Sequence, residues 1–195
     1  MKFLLILVFS YLLGSIPIGL LVAKLRGIDI RRHGSGNIGA TNVFRILGTG
    51  PGFIVLVGDM LKGIIAVWVG GLTDGPNLAL IAGLTAIAGH SWSIFLKFSG
   101  GKGVATAGGV LLALAPGVVA AALTVWLTIV LLFRYVSLAS IIAAVTVPFF
   151  MVLFGKPWSL FAFGVAAAVL IIYRHKPNIK RLLTGKELKI GDNTR

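Results

Sequence analysis

The sequence predicts an all-α integral membrane protein, built as a bundle of about seven short transmembrane helices. Three observations carry this prediction: 57% of the 195 residues are hydrophobic, the mean hydropathy is +1.02, and only 12% of the residues are charged. A soluble domain is about 45–50% apolar by a similar count, so the lipid bilayer is the expected solvent. Cysteine is absent, which excludes disulfides and thiolate metal sites.

Seven apolar runs follow one another along the chain, separated by breaks that contain glycine, proline or charged residues. Several are shorter than the ~20 residues that a helix needs to cross about 30 Å of hydrocarbon, which predicts short helices. No internal repeat or second core is evident, so residues 1–195 are expected to form one domain. The runs cover residues 3–23, 51–72, 78–89, 104–115, 118–133, 138–154 and 158–173.

The position of the charges predicts how the helices cross the membrane. If residues 104–133 formed one helix, that helix would be about 45 Å long, and Pro116 and Gly117 would lie at its middle. A hairpin of two short helices instead brings the basic loops at 24–45 and 97–102 and the basic tail from Arg174 to one side, as the positive-inside rule requires. The N-terminus is then outside and the C-terminus cytoplasmic.

The net charge of +13 would suggest a nucleic-acid partner in a soluble protein. Here the charged residues are few and lie between long apolar runs, so they are expected to set membrane topology or to bind small anions. Nucleic acid is therefore not an expected partner.

The loop after the first run reads RRHGSGNIGATNVFR over residues 31–45 and contains a formal G-x-G-x-x-G pattern. No strand precedes it, so a dinucleotide site is rejected. Glycines at 36 and 39 would still allow backbone N–H groups to converge on an anion, with donors from Ser35 and Asn37 and a cation from Arg45. This predicts a phosphate cradle; the alternative is a glycine-rich turn whose charges only set topology.

A second glycine-rich stretch, SGGKGVAT at residues 99–106, leads into the helix expected from Val104. It is not a nucleotide-binding P-loop, because Leu96 stands at the first glycine position and Gly103 at the Ser or Thr position. Lys102 between glycines at a helix N-terminus still suits a phosphate. The alternative is a lysine that only marks the membrane boundary.

The third polar stretch, RHKPNIKRLLTGKE at residues 174–187, is most simply an amphipathic basic tail on anionic headgroups. His175 and Asn178 are less well explained by that role, because both could reach a phosphate.

The apolar runs themselves carry a few polar residues. Asp59 and Lys62 are three residues apart, which predicts an ion pair, either structural or in contact with substrate. His90 closes the third run, as an interfacial anchor or a general base.

Together, these stretches resemble the bacterial membrane glycerol-3-phosphate acyltransferases that use acyl-phosphate as donor. The resemblance runs over nearly the whole chain and departs from the family pattern at Ser93 and Lys186. It is carried by SGNIGATNV at 35–43 with Arg45, GGKGVAT at 100–106, and His175 with NIKRLL at 178–183. Shorter matches are GSIP at 14–17, Gly58 with Asp59, Lys62 with Gly63, Gly89 with His90, and VSLAS at 136–140.

The resemblance implies transfer of a fatty acyl group from acyl-phosphate to the 1-hydroxyl of glycerol 3-phosphate, giving lysophosphatidic acid and phosphate on the cytoplasmic face of a bacterial inner membrane. It implies no cofactor and no metal ion, and it leaves the oligomeric state open. His90, Lys102 and Arg45 are the expected catalytic residues. Phosphate binding is expected from Ser35, Gly36, Asn37, Gly39, Thr41, Asn42, Gly100, Gly101, Gly103, Ser140, His175 and Asn178.

Two other readings are weighed against this one. Short broken helices and intramembrane charge are also features of transporters, so a carrier of a phosphorylated metabolite is the main alternative. A non-enzymatic lipid-binding protein is a weaker one. A carrier needs a site that opens to both sides, whereas the three polar stretches are expected on one face.

Overall fold

The computed structural model describes residues 1–192. Within that range the chain is helical, and its only β feature is a bridge between Ser93 and Ser99. The α-helices are α1 (Lys2–Ser15), α2 (Ile18–Lys24), α3 (Ala40–Leu47), α4 (Thr49–Ser91), α5 (Val104–Leu114), α6 (Pro116–Phe133), α7 (Val136–Leu153), α8 (Trp158–Arg174) and α9 (Lys176–Leu183). Short 3-10 turns cover Ile30–Arg32 and Ile94–Leu96.

All seven apolar runs coincide with helices, which confirms the all-α prediction. The first run is divided between α1 and α2 around Pro17, and the second and third runs form the two halves of α4. These halves meet at Asp74 and Gly75, whose backbone angles are not helical, and Pro76 starts the second half, where its fixed φ is favourable. The predicted break near Pro116 is also present, because α6 begins at that residue.

The number of crossings differs from the prediction. Among the described residues, four helical segments are long and apolar enough to span a membrane: Lys2–Lys24, Thr49–Ser91, Pro116–Phe133 and Val136–Leu153. A fifth is added if α8 and α9, which are bent by 58° at their junction, form one span. The structure therefore gives four or five candidate spans where the sequence predicts about seven, because α5 is short and the two halves of α4 count as one helix.

Large apolar side chains are exposed along these helices, among them Trp68, Leu131, Phe149 and Val169. Contiguous exposed apolar surface is unfavourable in water but is the expected outer surface of a protein whose solvent is lipid.

The described chain comprises two compact units. The first contains Met1–Val110 with Gly191 and Asp192, and the second contains residues 111–190. The prediction of a single domain stays a prediction.

In the first unit, α1 packs on α4 with the two backbones in direct contact. A Cβ atom at Gly14 would stand 2.2 Å from the carbonyl oxygen of Ala86, and one at Gly89 would stand 2.3 Å from that of Tyr11. The helix α5 approaches α4 in the same way, since a Cβ at Gly109 would stand 2.0 Å from the carbonyl oxygen of Met60. Such small-residue contacts are the usual basis of helix packing in lipid.

In the second unit, α7 packs against both α6 and α8. Gly164 of α8 admits the side chain of Met151, whose sulfur lies 2.5 Å from the position of a Cβ there. Between α6 and α7, the indole N–H of Trp126 donates a hydrogen bond of 3.2 Å to the Ser140 hydroxyl.

Candidate active site

The first loop, residues 27–39, is held together by the side chain of Asn42 in the first turn of α3. Its amide oxygen accepts a hydrogen bond from the backbone N–H of Ser35 at 2.9 Å. Its NH₂ group donates to the carbonyl oxygens of His33 at 3.0 Å and Asn37 at 2.9 Å. Asn42 is 1% exposed. Because the donors and the acceptor of this amide are all used inside the loop, Asn42 shapes the loop and does not offer its amide to a ligand.

The glycines of this loop serve its turns. Gly34 and Gly36 have φ angles of 58° and 70°, in the left-handed region that favours glycine. The N–H of Gly36 donates to the carbonyl oxygen of His33 at 3.0 Å, and the N–H of Gly39 donates to the side-chain oxygen of Asn37 at 2.8 Å.

The expected anion nest is therefore not formed by Ser35, Gly36 and Gly39, because their N–H groups are bound within the loop. The physical reason is that backbone N–H groups in tight turns hydrogen-bond to the acceptors that the turns bring close to them.

Arg45, the cation expected at the first cradle, follows the first loop on α3. It lies four residues after Thr41, so both side chains are on the same face of that helix, while Asn42 and Val43 are buried. Within the loop, Arg31 is paired with Asp29 at 2.7 Å. The hydrogen bond from the Arg31 guanidinium holds the pKa of the Asp29 carboxyl well below its usual range.

The second loop, residues 92–103, is shaped by the end of α4. A Cβ at Gly100 would stand 2.3 Å from the carbonyl oxygen of His90, and one at Gly101 would stand 2.0 Å from the Nε2 atom of its ring. The N–H of Gly101 donates to that same carbonyl at 3.0 Å. These two glycines are thus required for close approach to His90, and the N–H of Gly101 is not the phosphate donor that the sequence suggested.

Lys102 follows this turn and stands two residues before α5 begins at Val104. Its side chain is half-buried. The first N–H groups of a helix have no partner within it and carry a partial positive charge. Lys102 and the start of α5 together therefore form the cationic part of the second loop, and Gly103, with a φ of 79°, makes the turn into the helix.

The two loops lie over one apolar cluster in the first unit. Its buried members are Leu20, Ala23, Ile30, Ile38, Val43 and Val55, and Leu96 of the second loop packs against them. The close approach of Gly19 to the carbonyl oxygen of Ile38, 1.8 Å from the position of a Cβ, fixes the first loop on α2. The structure thus brings the loop that precedes Arg45 and the loop that contains Lys102 onto a common base.

A buried charged cluster lies beneath the second loop. The ammonium group of Lys62 is 2.8 Å from a carboxylate oxygen of Asp59, which confirms the predicted ion pair. The same nitrogen donates to the carbonyl oxygens of Gly14 at 3.0 Å and Ile16 at 2.9 Å, and it lies 3.2 Å from Nδ1 of His90. Lys62 therefore joins the ion pair, the break between α1 and α2, and His90.

The neighbours of His90 define what its ring can do. Nδ1 lies 3.2 Å from the Lys62 ammonium nitrogen and 3.5 Å from a carboxylate oxygen of Asp59, so the ion pair holds this edge of the ring. The opposite nitrogen, Nε2, packs against Gly101, where a Cβ atom would stand 2.0 Å from it. The geometry therefore disfavours the general-base role that the sequence suggested for His90.

The second unit contains the remaining three expected site residues. Nδ1 of His175 lies 2.8 Å from the carbonyl oxygen of Ile171; since a carbonyl only accepts, Nδ1 carries the proton. The Ser140 hydroxyl donates to the carbonyl oxygen of Val136 at 2.8 Å.

Asn178 is tied to an acid that the sequence interpretation left without a role. Its NH₂ group donates to Glu187 at 2.6 Å, and the Arg181 guanidinium donates to the other carboxylate oxygen at 2.6 Å. Burial raises the pKa of Glu187, but hydrogen bonds from Ser137, Asn178 and Arg181 outweigh that effect and lower it. A single acid within the basic stretch at 174–189 was the signal available in the sequence.

Within residues 1–192, no group of three or more His, Cys, Asp or Glu side chains is arranged to hold a metal ion.

Comparison with known proteins places these features in a family context. The family model described as glycerol-3-phosphate acyltransferase matches residues 4–185. A glycerol-3-phosphate acyltransferase 2 of Moorella thermoacetica is 53% identical over 98% of this chain and 99% of its own length. A glycerol-3-phosphate acyltransferase of Desulforudis audaxviator is 52% identical over 93% of this chain and 92% of its own.

Two solved structures are also similar. Both are crystal structures of PlsY, an integral membrane glycerol 3-phosphate acyltransferase. The glycerol 3-phosphate form has a TM-score of 0.93 at 44% identity and covers 98% of this chain and 96% of its own. The lysophosphatidic acid form has a TM-score of 0.92 at the same identity and coverage.

Proposed function

Since the chain belongs to the glycerol-3-phosphate acyltransferase family, we propose that it transfers a fatty acyl group from acyl-phosphate to the sn-1 hydroxyl of glycerol 3-phosphate, releasing lysophosphatidic acid and phosphate. The observation that carries the proposal is the common base under the loops that present Arg45 and Lys102. Two cations there suit a substrate pair in which both members carry phosphate. The glycerol 3-phosphate and lysophosphatidic acid forms of the similar structures support the acceptor and the product.

Within the site, we assign charge neutralisation to Arg45 and Lys102. Ser35 and Thr41 add hydroxyl donors next to Arg45, and the first turn of α5 adds backbone donors next to Lys102. Preorganised donors of this kind also stabilise the charge that develops on the acyl carbonyl oxygen, with each well-placed donor contributing about 3 kcal/mol. Ser140, His175 and Asn178 are proposed to bind substrate phosphate as well, on the strength of the family resemblance.

The proposed reaction is direct. The sn-1 hydroxyl oxygen attacks the acyl carbonyl carbon, the bond from that carbon to the phosphate oxygen breaks, and the electron pair leaves with phosphate. The hydroxyl proton passes to a phosphate oxygen, which becomes more basic as the bond breaks. His90 is not needed as the base, because its ring is buried with Nδ1 against the pair of Lys62 and Asp59 and with Nε2 against Gly101. No acyl-enzyme forms, so trapping an acyl group on the protein during turnover would contradict the mechanism.

An assay with purified protein in vesicles tests the function. Given acyl-phosphate and glycerol 3-phosphate, it should release phosphate and form lysophosphatidic acid in equal amounts. Lys102→Gln and Arg45→Gln should each reduce kcat/KM by about 100-fold, the usual cost of losing one electrostatic donor. Lys24→Gln, an exposed lysine outside the site, is the matched control and should keep full activity. Vesicle uptake of glycerol 3-phosphate without acylation would instead identify a carrier.

The proposed topology has seven crossings in a bacterial inner membrane, with the site on the cytoplasmic face, the N-terminus outside and the C-terminus inside. It treats the two halves of α4 as separate spans, which is supported by the 43-residue length of that helix and its break at Asp74 and Gly75. The seventh span contains α8.

Because the chain has no cysteine, single-cysteine variants can be labelled with a membrane-impermeant thiol reagent without background. Arg26→Cys and Lys186→Cys should react only from the cytoplasmic side, and Asp74→Cys and Lys156→Cys only from outside. Labelling of positions 26 and 186 from opposite sides would contradict this topology.

A further inference from the structure

The cluster of Asp59, Lys62 and His90 has no part in the proposed reaction, although it is buried beneath the second loop. The three side chains are 2%, 3% and 6% exposed. An ionised pair in the interior of a membrane protein is costly and is seldom present without a function. The contacts of the cluster identify that function, because they run from the ion pair to the turn that precedes Lys102.

The first step runs from Lys62 to His90. The Lys62 ammonium group lies 2.8 Å from a carboxylate oxygen of Asp59 and donates to the carbonyl oxygens of Gly14 and Ile16. These three contacts hold the ammonium group in place, since they come from α4 and from the break after α1. Nδ1 of His90 lies 3.2 Å from the fixed ammonium nitrogen and 3.5 Å from the same carboxylate, so the ion pair holds this edge of the ring.

The second step runs from His90 to the glycine turn. The opposite ring nitrogen, Nε2, occupies the space in which a side chain at position 101 would stand. The carbonyl oxygen of His90 accepts the N–H of Gly101 at 3.0 Å. The ring and the main chain of one residue thus set how closely the turn at 100–101 lies on α4. Lys102 is the next residue, so its position depends on that turn.

We propose that Lys62 is a positioning residue for the acyltransferase site: together with Asp59 it fixes the Nδ1 edge of the His90 ring, so that Nε2 packs against Gly101, and it thereby places Lys102 for the substrate phosphate. The proposal rests on the proposed function for the role of Lys102. It gives Asp59 the role of holding the ammonium group and makes His90 a spacer. A displacement of about 1 Å at a binding group can reduce a rate by about 100-fold, so a remote lysine can control the reaction through this path.

Two variants test the proposal. Lys62→Met removes the ammonium group but leaves the Asp59 carboxylate buried without its partner, which can prevent folding. The double variant Asp59→Asn with Lys62→Met removes both charges with little change in volume and is expected to fold. Lys24→Met is the matched control, since Lys24 is an exposed lysine outside the cluster.

The first measurement is ¹⁵N NMR of histidine-labelled protein, in which the signals of the three histidines are assigned with the His90→Gln variant. In the wild type, the contacts of Nδ1 should hold the His90 ring in one form, with a single set of ring ¹⁵N signals. In the double variant, which lacks both charges, the signals should become those of a mixture of both tautomers. Ring signals that are the same in the wild type and in the double variant would overturn the proposal, whatever the activity, so this readout stands even if the acylation reaction itself is not observed.

The second measurement separates positioning from folding. In the double variant, KM for glycerol 3-phosphate should rise and kcat/KM should fall by about 100-fold, while the thermal unfolding temperature stays close to that of the control. A purely structural role would reduce the amount of active protein and leave KM unchanged. An unchanged KM in a folded variant whose tautomer has changed would therefore overturn the proposal.

Discussion

The two glycine-rich loops of the first unit are both fixed by hydrogen bonds, but different parts of the protein supply these bonds. The backbone of the first is bound by two asparagine side chains, Asn37 within the loop and Asn42 on the helix that follows it. The second has backbone hydrogen bonds of its own between residues 93 and 99, but its glycine turn is held from outside, by His90 at the end of α4. In both, the glycines allow turns and close approach, and the N–H groups of Ser35, Gly36, Gly39 and Gly101 are used within the protein. We therefore assign most of the positive charge for a phosphate to the side chains of Arg45 and Lys102.

The largest effect is expected from filling the space between Gly101 and His90. In Gly101→Ala the new methyl group would overlap the His90 ring, so the turn must move and carry Lys102 with it. We expect kcat/KM to fall by about 100-fold. Gly108→Ala is the matched control, because a Cβ at that helical position meets nothing within 4 Å, and it should keep full activity. If Gly101→Ala also kept full activity, the second loop would not depend on His90.

In the first loop, the free energy of unfolding lost when an asparagine is replaced should depend on the number of hydrogen bonds that its side chain makes. Asn42→Ala leaves the Ser35 N–H and two carbonyl oxygens without their partner and should lower the free energy of unfolding by about 2–3 kcal/mol. Asn37→Ala removes one side-chain acceptor, that of the Gly39 N–H, and should cost about 1 kcal/mol. Denaturant unfolding of the two variants measures both values. Equal losses would show that Asn42 does not close the loop.

A smaller, pH-dependent effect is expected in the second unit. There the carboxylate of Glu187 accepts the hydrogen bonds that hold the segment after α9. Since the folded state lowers the pKa of Glu187 below its usual 4.5, its ionised form stabilises the fold above that value. The contribution is lost as the pH falls through the lowered pKa of the folded protein. Glu187→Gln should thus reduce the unfolding temperature near pH 7, and the difference from wild type should shrink below about pH 4.5. A difference that does not depend on pH would contradict this assignment.

The sequence predicted the helices well, because long apolar runs in lipid have few alternatives to helix. It also predicted the break at Pro116 and the pair of Asp59 and Lys62, since both depend on spacing along one helix. It did not predict that the glycine N–H groups would be used internally, because a glycine pattern does not say which acceptor lies nearby.

Contacts between residues that are far apart in the sequence could not be predicted, for a related reason. Lys62 and His90 are 28 residues apart, and Asn178 and Glu187 are joined by a turn after α9. Neither pair follows a helical or strand repeat, so only the packed structure shows that these residues meet.

The most direct test of the account is the affinity for glycerol 3-phosphate, measured by titration calorimetry on purified protein without an acyl donor. If the Arg45 and Lys102 side chains hold the phosphate, Arg45→Gln and Lys102→Gln should each weaken binding by about tenfold or more, a loss of at least about 1.4 kcal/mol. Lys24→Gln should bind like the wild type. Wild-type affinity in both site variants would show that these two cations do not hold the phosphate and would contradict the account.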